Sequence, residues 1–341
     1  PVPVPEGQIS IQVLADRDKR LDGNEGATLY DMGDGVGLVE FHTKMNAIDN
    51  QIVEVIDRAC NLVNEGELAG LVVGNEAPNF SVGANIGLLG MLAMAGMWDE
   101  LNQAVAAGQN ANMKMKYCRG PVVAAPRGMA LGGGCEVAMH SAAIRAAAET
   151  YFGQVEVGVG LIPAAGGCKE LAVRYYGSTP PGVTPNPFAY IEKIFTTIGL
   201  ATTSSSAEEA RNLGILRPHD RVTINPDAQL TDAKTDELAL VQMGYKPPTP
   251  VTVPVPGRDG IASLKVAAHG MRGGGYISEY DQHLANRLSY VICGGEVPAG
   301  TELTEQDFLD LEREVFVELC HEEKTQERIQ HMLQTGKALR N

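Results

Sequence analysis

The chain has 341 residues, 44% of them hydrophobic and 20% charged, which is enough apolar material for the core of one large domain or two modest ones. Lys and Arg number 27 against 42 Asp and Glu; the net charge of −15 repels phosphate backbones and excludes the electrostatics on which non-specific DNA or RNA binding depends. There is no long uninterrupted apolar run and no basic start followed by an apolar stretch, so no membrane span or signal peptide is read and the chain is expected to be soluble and cytoplasmic.

The opening PVPVPEGQ lacks an initiator Met and is stiffened by its prolines, which suggests a piece of a longer polypeptide with a partner domain upstream. Residues 1–26 read as an arm outside the core, with Ile9, Ile11 and Val13 alternating as an edge strand would. VGLVEF at 36–41 alternates like a half-buried strand. Ile52, Val55, Ile56, Ala59, Leu62 and Val63 then fall on one face of a helix, and LVVG at 71–74 reads as a buried strand. A Met-rich helical region runs from about Leu88 to Tyr117, PVVAAP at 121–126 reads as a strand, and CEVAMHSAAIRAAAE from Cys135 reads as helix. This alternation predicts an α/β layered fold.

GSTPPGVTPNP at 177–187 is a loop by composition. Ser206 and Glu209 predict a capping box for a helix that Gly214 ends, and a further helix is expected over Asp232–Met243. The prolines of KPPTPVTVPVPG at 246–257 predict an extended linker and no sheet interior. Residues 260–341 read as helical, with Thr304 and Asp307 opening a long segment. The expected division is an arm at 1–26, a catalytic core at 27–245, a proline-rich linker at 246–258 and a helical C-terminal region at 259–341. Cys60, Cys118, Cys135, Cys168, Cys293 and Cys320 have neither CxxC nor zinc-ligand spacing; they are expected to be reduced and buried, with no metal site.

Two glycine-bearing segments can carry chemistry. LGGGCE at 131–136 lies between a predicted strand and a predicted helix, where backbone N–H groups and the positive end of the helix dipole favour an anion or oxyanion; such a run also serves as a packing device. NFSVGANIG at 79–87 follows LVVG and could supply a second donor. Asn79 breaks the GxSxG nucleophile elbow, so Ser81 reads as a loop hydrogen-bonder. Glu136 stands in the first turn behind the glycines, and Glu156 follows in YFGQVEVGVG. Two carboxylates beside an oxyanion hole suit a reaction that takes one proton from water and delivers another to carbon. GxGxxG and GxxxxGK[ST] occur nowhere, so no NAD or ATP cofactor site is expected. Met91, Met94, Met97, Met113 and Met115 flank the single Trp98, as an adaptable pocket lining or as plain core.

FSVGANI, GPVVAAPRGMALGGGCEVAMHS and YFGQVEVGVGLIPAAGG, in this order and spacing, resemble the enoyl-CoA hydratase/isomerase (crotonase) family over about 150 residues. Weaker similarity covers SAEEARNLGIL and the closing LEREVFVELCHEEKTQERIQHMLQTGKALRN. The segment around 246–303 exceeds a minimal hydratase and is similar to the hydratase module of fusions in which a 3-hydroxyacyl-CoA dehydrogenase comes first. The resemblance implies a crotonase-like spiral of ββα units with an extended helical C-terminal region. It implies oxyanion donors at Ala84 and Gly133 and a catalytic pair at Glu136 and Glu156. Substrate contacts are implied at Lys44, Ser81, Gly83, Asn85 and Ile86. The departures are Asn85 for the usual Asp, Arg127 for Asn, and Cys168 for Thr. The implied activity is hydration of a trans-2-enoyl-CoA thioester to a (3S)-3-hydroxyacyl-CoA in fatty-acid β-oxidation or a related pathway, by a homo-oligomer needing no cofactor. An enoyl-CoA isomerase, and a non-catalytic assembly module, are the competing readings.

Overall fold

The computed structural model describes residues 7–178 and 186–341, so most of the predicted 177–187 loop lies outside the described residues. The chain splits into two compact units. The first comprises Pro1–Ala84, Asn110–Phe152 and Ser204–Thr249, and the second Asn85–Gln109, Gly153–Thr203 and Pro250–Asn341. Mixed sheet and helix confirm the α/β expectation, and the C-terminal region is helical. Among the described residues no helix is long and apolar enough to cross a membrane.

A seven-stranded sheet runs through the first unit, its strands lying side by side in chain order. Arg20–Gly23, Ala27–Asp31 and Val36–Phe41 pair antiparallel; Gly70–Gly74, Val122–Ala125, Ala143–Ala147 and Arg221–Thr223 continue the sheet in parallel. Parallel strands need crossovers and are covered on both faces, which explains why GLVVG and VVAA are buried throughout. One crossover is the helix Asn50–Glu65, which buries the predicted stripe with Leu62 at its margin. Asp49 caps it, accepting from the N–H groups of Gln51 at 3.0 Å and Ile52 at 3.2 Å, and Gly66 ends it at φ 86°. Val72, Val123 and Ala125 pack with Leu230 and Ala233 of the helix Gln229–Gln242.

Three local expectations are corrected here. The Ile9–Val13 alternation does not make a strand: Ile11–Asp16 is a helix whose Leu14 joins the buried cluster, and Glu76 accepts the Ile11 N–H at 3.1 Å. The helix expected from Cys135 ends at Met139, and Ala143–Ala147 is a parallel strand. Alanine favours helix locally, but the Ile144 N–H donates to Asp220 at 2.8 Å and Arg145 forks onto Asp236 at 2.6 and 2.7 Å, so tertiary pairing overrides propensity. At Ser206 the hydroxyl accepts the Glu209 N–H at 3.2 Å as expected, but Glu209 reaches back to the Ser205 N–H, one residue earlier than a capping box requires.

In the second unit, helices Gly257–Gly273, Glu279–Ile292, Glu305–His321 and Glu323–Thr335 follow a short ribbon strand. That strand, Thr252–Val255, pairs antiparallel with Thr301–Thr304, so part of the proline-rich segment is sheet. A two-stranded ribbon has only edges, and Pro254 faces solvent where no ladder donor is needed. Thr304 and Asp307, expected to open a long segment, do so through a capping box at the start of the helix Glu305–His321. The Lys169 side chain, fully buried, pairs with Glu170 at 2.6 Å and Glu305 at 3.2 Å, while Glu312 accepts the Gly166 and Lys169 N–H groups at the start of the helix Gly167–Tyr176. The Met-rich stretch forms the helices Ile86–Met94 and Trp98–Lys116; Met91, Met94 and Met97 are exposed, Met115 is core, and Trp98 stacks on His321 at 3.5 Å.

Glu237 of the helix Gln229–Gln242 is fully buried, and neither carboxyl oxygen has a hydrogen-bond partner among the described residues. Burial pushes its pKa up to about 7 from the ordinary 4.5, with Lys234 opposing. The folded state therefore binds more protons than the unfolded state between those values, and stability falls as pH rises from 4.5 to about 7. Glu237→Gln is expected to stabilise the protein at pH 8 by on the order of 1 kcal/mol, with the gain vanishing toward pH 4, measured by urea unfolding across pH.

Candidate active site

In the first unit two backbone segments are tied side by side. Phe80 N–H donates to the Arg127 carbonyl at 2.8 Å, Ser81 N–H to Met129 at 3.0 Å, and Leu131 N–H returns to Ser81 at 3.0 Å. On its other side the loop receives Ile48, whose N–H donates to the Gly83 carbonyl at 2.8 Å. The Ser81 side chain is fully buried and its hydroxyl accepts the Gly83 N–H at 3.1 Å, so it shapes the loop. Asn79, the residue that breaks the hydrolase-elbow pattern, holds the crossing together: its Oδ1 accepts the Met129 N–H at 3.0 Å and its carbonyl accepts the Asn46 amide at 2.9 Å. Nothing in the sequence pattern marks Asn46 and Asn79 as partners, because they meet through turns 33 residues apart.

This pairing brings Ala84 against the glycines. A Cβ placed on Gly133 would stand 3.2 Å from the Ala84 nitrogen. Gly132 precedes the helix Gly133–Met139 at φ 51° and ψ −125°, a conformation that turns the chain from strand into helix and suits glycine alone. The Gly133 N–H is then the first of the helix-terminal donors that have no partner inside the helix. Neither it nor the Ala84 N–H finds an acceptor among the described residues. Two such donors, one at a helix N-terminus, can hold an oxyanion.

Glu136 lies one turn further along the same helix and is 3% exposed; its carbonyl accepts both the backbone N–H of His140, at 3.1 Å, and the imidazole Nδ1, at 2.7 Å. Lys44 is exposed in the turn Lys44–Asn46, four residues before Ile48. The first unit thus gathers Ser81, Gly83, Ala84, Gly133 and Glu136.

Glu156, Asn85 and Ile86 belong to the second unit. Asn85 caps the helix Ile86–Met94, its Oδ1 accepting the Leu88 N–H at 3.1 Å, so an Asn does there what an Asp would. Glu156 is half-buried at the head of the 3-10 turn Glu156–Val159. In the orientation that satisfies both groups, the buried Gln154 amide nitrogen lies 3.2 and 3.3 Å from the Glu156 carboxylate oxygens. Gln154 has no motif to announce it; only its place two residues before Glu156 could have signalled the contact. The turn is fastened from the C-terminal helices: Thr325 Oγ1 donates to the Gly160 carbonyl at 2.6 Å and Arg328 Nη1 to Val157 at 3.3 Å.

Residues 31–179 match a family model described as enoyl-CoA hydratase/isomerase. The chain is 43% identical over 334 residues to the Bacillus subtilis (strain 168) protein named "Probable 3-hydroxyacyl-CoA dehydrogenase", covering 98% of this chain and 42% of that protein. It therefore spans well under half the length of that relative. A protein of Syntrophomonas wolfei named "Crotonyl-CoA hydratase" is 35% identical over 129 residues, 37% of this chain and 48% of that one. Among solved structures, the enoyl-CoA hydratase from Bacillus halodurans superposes with a TM-score of 0.60 at 16% identity, covering 89% of this chain and 98% of that one. At that identity the likeness is one of fold.

The crossing itself can be tested. A Cβ on Gly134 would lie 2.7 Å from the Ser81 Cβ and 2.9 Å from its carbonyl oxygen. Gly134→Ala should push the two segments apart and cost about 1–3 kcal/mol, read as a lowered urea midpoint at unchanged slope.

Proposed function

The chain belongs to the enoyl-CoA hydratase/isomerase family through residues 31–179, and on that premise we propose that it is an enoyl-CoA hydratase, adding water across the 2,3 double bond of a trans-2-enoyl-CoA to give a (3S)-3-hydroxyacyl-CoA. The observation that carries this reading is the pair of unclaimed N–H groups at Ala84 and Gly133, with Glu136 one helical turn behind them. The thioester carbonyl oxygen accepts from both amides. Negative charge gathers on it as water attacks C3, so donors already in place stabilise the enolate without reorganising. Removing one such donor from an oxyanion hole costs roughly 3 kcal/mol.

Glu136 and Glu156 are proposed as the acid/base pair. One takes a proton from water as its oxygen bonds to C3, and the other delivers a proton to C2, so the elements of one water molecule are added. The retention of both glutamates supports hydration. The product is a secondary alcohol of the kind a 3-hydroxyacyl-CoA dehydrogenase oxidises, which agrees with the name carried by the Bacillus subtilis relative.

Glu136→Gln and Glu156→Gln should each lower crotonyl-CoA hydration by about 10²- to 10⁴-fold with the fold intact. Near-normal turnover in either variant rejects the assignment, and faster conversion of a 3-enoyl-CoA than hydration of crotonyl-CoA makes the enzyme an isomerase.

The CoA moiety carries phosphates, and a chain with a net charge of −15 offers no general attraction for them, so local cations must do that work. Lys44, exposed just before Ile48, is proposed for this role. Lys44→Ala should raise KM for crotonyl-CoA several-fold and leave kcat within about twofold, a loss of uniform binding.

A further inference from the structure

The turn before Ile48 is built from backbone that side chains seldom accept. Met45 and Asn46 stand in succession at φ 59° and 53°, in the left-handed region. Asparagine visits that region far more readily than methionine, and such residues persist only where their surroundings over-determine them. Here Thr43 Oγ1 donates across the turn to the Ala47 carbonyl at 2.7 Å, and Asn46, 4% exposed, donates its side-chain amide to the Asn79 carbonyl at 2.9 Å. What the turn delivers is Ile48, which pairs with Ala84 as in a parallel sheet and donates its N–H to the Gly83 carbonyl at 2.8 Å. That carbonyl and the Ala84 N–H belong to one planar trans peptide, so they point in opposite directions. Ile48 therefore holds one end of the peptide and leaves the Ala84 N–H turned away from itself. Its side chain meets the other donor's residue as well: Ile48 Cδ1 lies 3.5 Å from where a Cβ on Gly133 would stand.

We propose that Asn46 and Ile48 are positioning residues of the oxyanion hole at Ala84 and Gly133. The Asn46 amide clamps the left-handed turn to Asn79, and the turn presents the Ile48 N–H that aims the Gly83–Ala84 peptide. The inference rests on the oxyanion-hole reading of the proposed function and adds to it what sets the direction of one donor. A donor's aim matters most where charge grows on the carbonyl oxygen, in the transition state. Losing it should lower kcat and leave KM nearly unchanged.

Asn46→Gly keeps the left-handed backbone and removes only the amide. A second protein, with the Ala47–Ile48 amide replaced by an ester, loses only the Ile48 N–H and keeps every side chain. Each is assayed for crotonyl-CoA hydration and for the absorption spectrum of bound 4-dimethylaminocinnamoyl-CoA, whose band moves to the red as hydrogen bonds draw electrons onto its carbonyl oxygen. Asn46→Gly should lower kcat by about tenfold or more, with KM within about twofold, and both proteins should lose about half or more of the parent's red shift. A merely structural role would leave the shift of the folded protein unmoved. A parent-like shift in folded Asn46→Gly or in the ester protein overturns the proposal, as does a raised KM at parental kcat. If the parent itself gives neither red shift nor hydration, the hydratase reading falls and this proposal with it; a shift in the parent that both altered proteins retain rejects the positioning role alone.

Discussion

The first unit depends on one crossing of backbones, in which Phe80–Gly83 is hydrogen-bonded to Arg127–Leu131 on one side and to Ile48 on the other. Each contact is a main-chain bond of ordinary strength, but together they fix where two amides end up. Hydrogen bonds of this kind contribute little net stability, because water would satisfy the same groups in the unfolded chain. Their value here is positional. Removing any one leaves the N–H groups of Ala84 and Gly133 free to drift by a fraction of an ångström, and the oxyanion hole proposed for them depends on that distance. The three glycines are a consequence of the crossing. Gly132 turns the chain, Gly133 sits where a side chain would press on Ala84, and Gly134 lies where a side chain would strike Ser81.

Much of this was legible from residue pattern alone. VGLVEF becomes the strand Val36–Phe41, and the Ile52–Val63 stripe becomes the buried face of its helix. Those readings succeed because burial there follows a simple period. AIRAA fails because all-round burial erases the period that separates strand from helix; what decides is the company of Asp220 and Asp236, far along the chain. Ile9–Val13 fails for a related reason. Six residues cannot show a helical period, and Leu14 is the one fully buried side chain of the helix, with Ile9 and Ile11 packed against the core at its margin. At the site, the glycine runs and Glu136 were visible as residue types in a suggestive order. Asn46, Asn79 and Gln154 were not, because a buried amide acts through partners that the local sequence does not name.

The second unit handles charge differently. Its interior contains Lys169 among Glu170, Glu305 and Glu312, and Arg328 with Asp281. Buried ion pairs of this kind contribute less to stability than their attraction suggests, because both charges give up hydration. What they secure is register: Glu312 joins the helix Glu305–His321 to the start of Gly167–Tyr176, and Arg328 joins the last helix to Val157. Desolvation drives the Asp281 carboxyl up, but the Ser278 N–H and Arg328 outweigh it and hold its pKa below the ordinary value. The pair is therefore ionised wherever the protein is folded near neutrality.

These arrangements give the two glutamates unlike supports. Glu136 is carried by the helix that begins at Gly133, so its position relative to that donor is fixed by helix geometry, at 1.5 Å of rise per residue. Glu156 stands on a single 3-10 turn, and such a turn is too short to hold itself. Its constraints come from Gln154 on one side and from Thr325 and Arg328 on the other. Thr325 in turn shares its hydroxyl with Tyr280 at 2.6 Å, and Arg328 lies 5.1 Å over the same Tyr280 ring. Movement of the helix Glu279–Ile292 would therefore reach the Glu156 turn through Tyr280 and two side chains. The position of Glu156 can thus be tuned from elsewhere in its own unit.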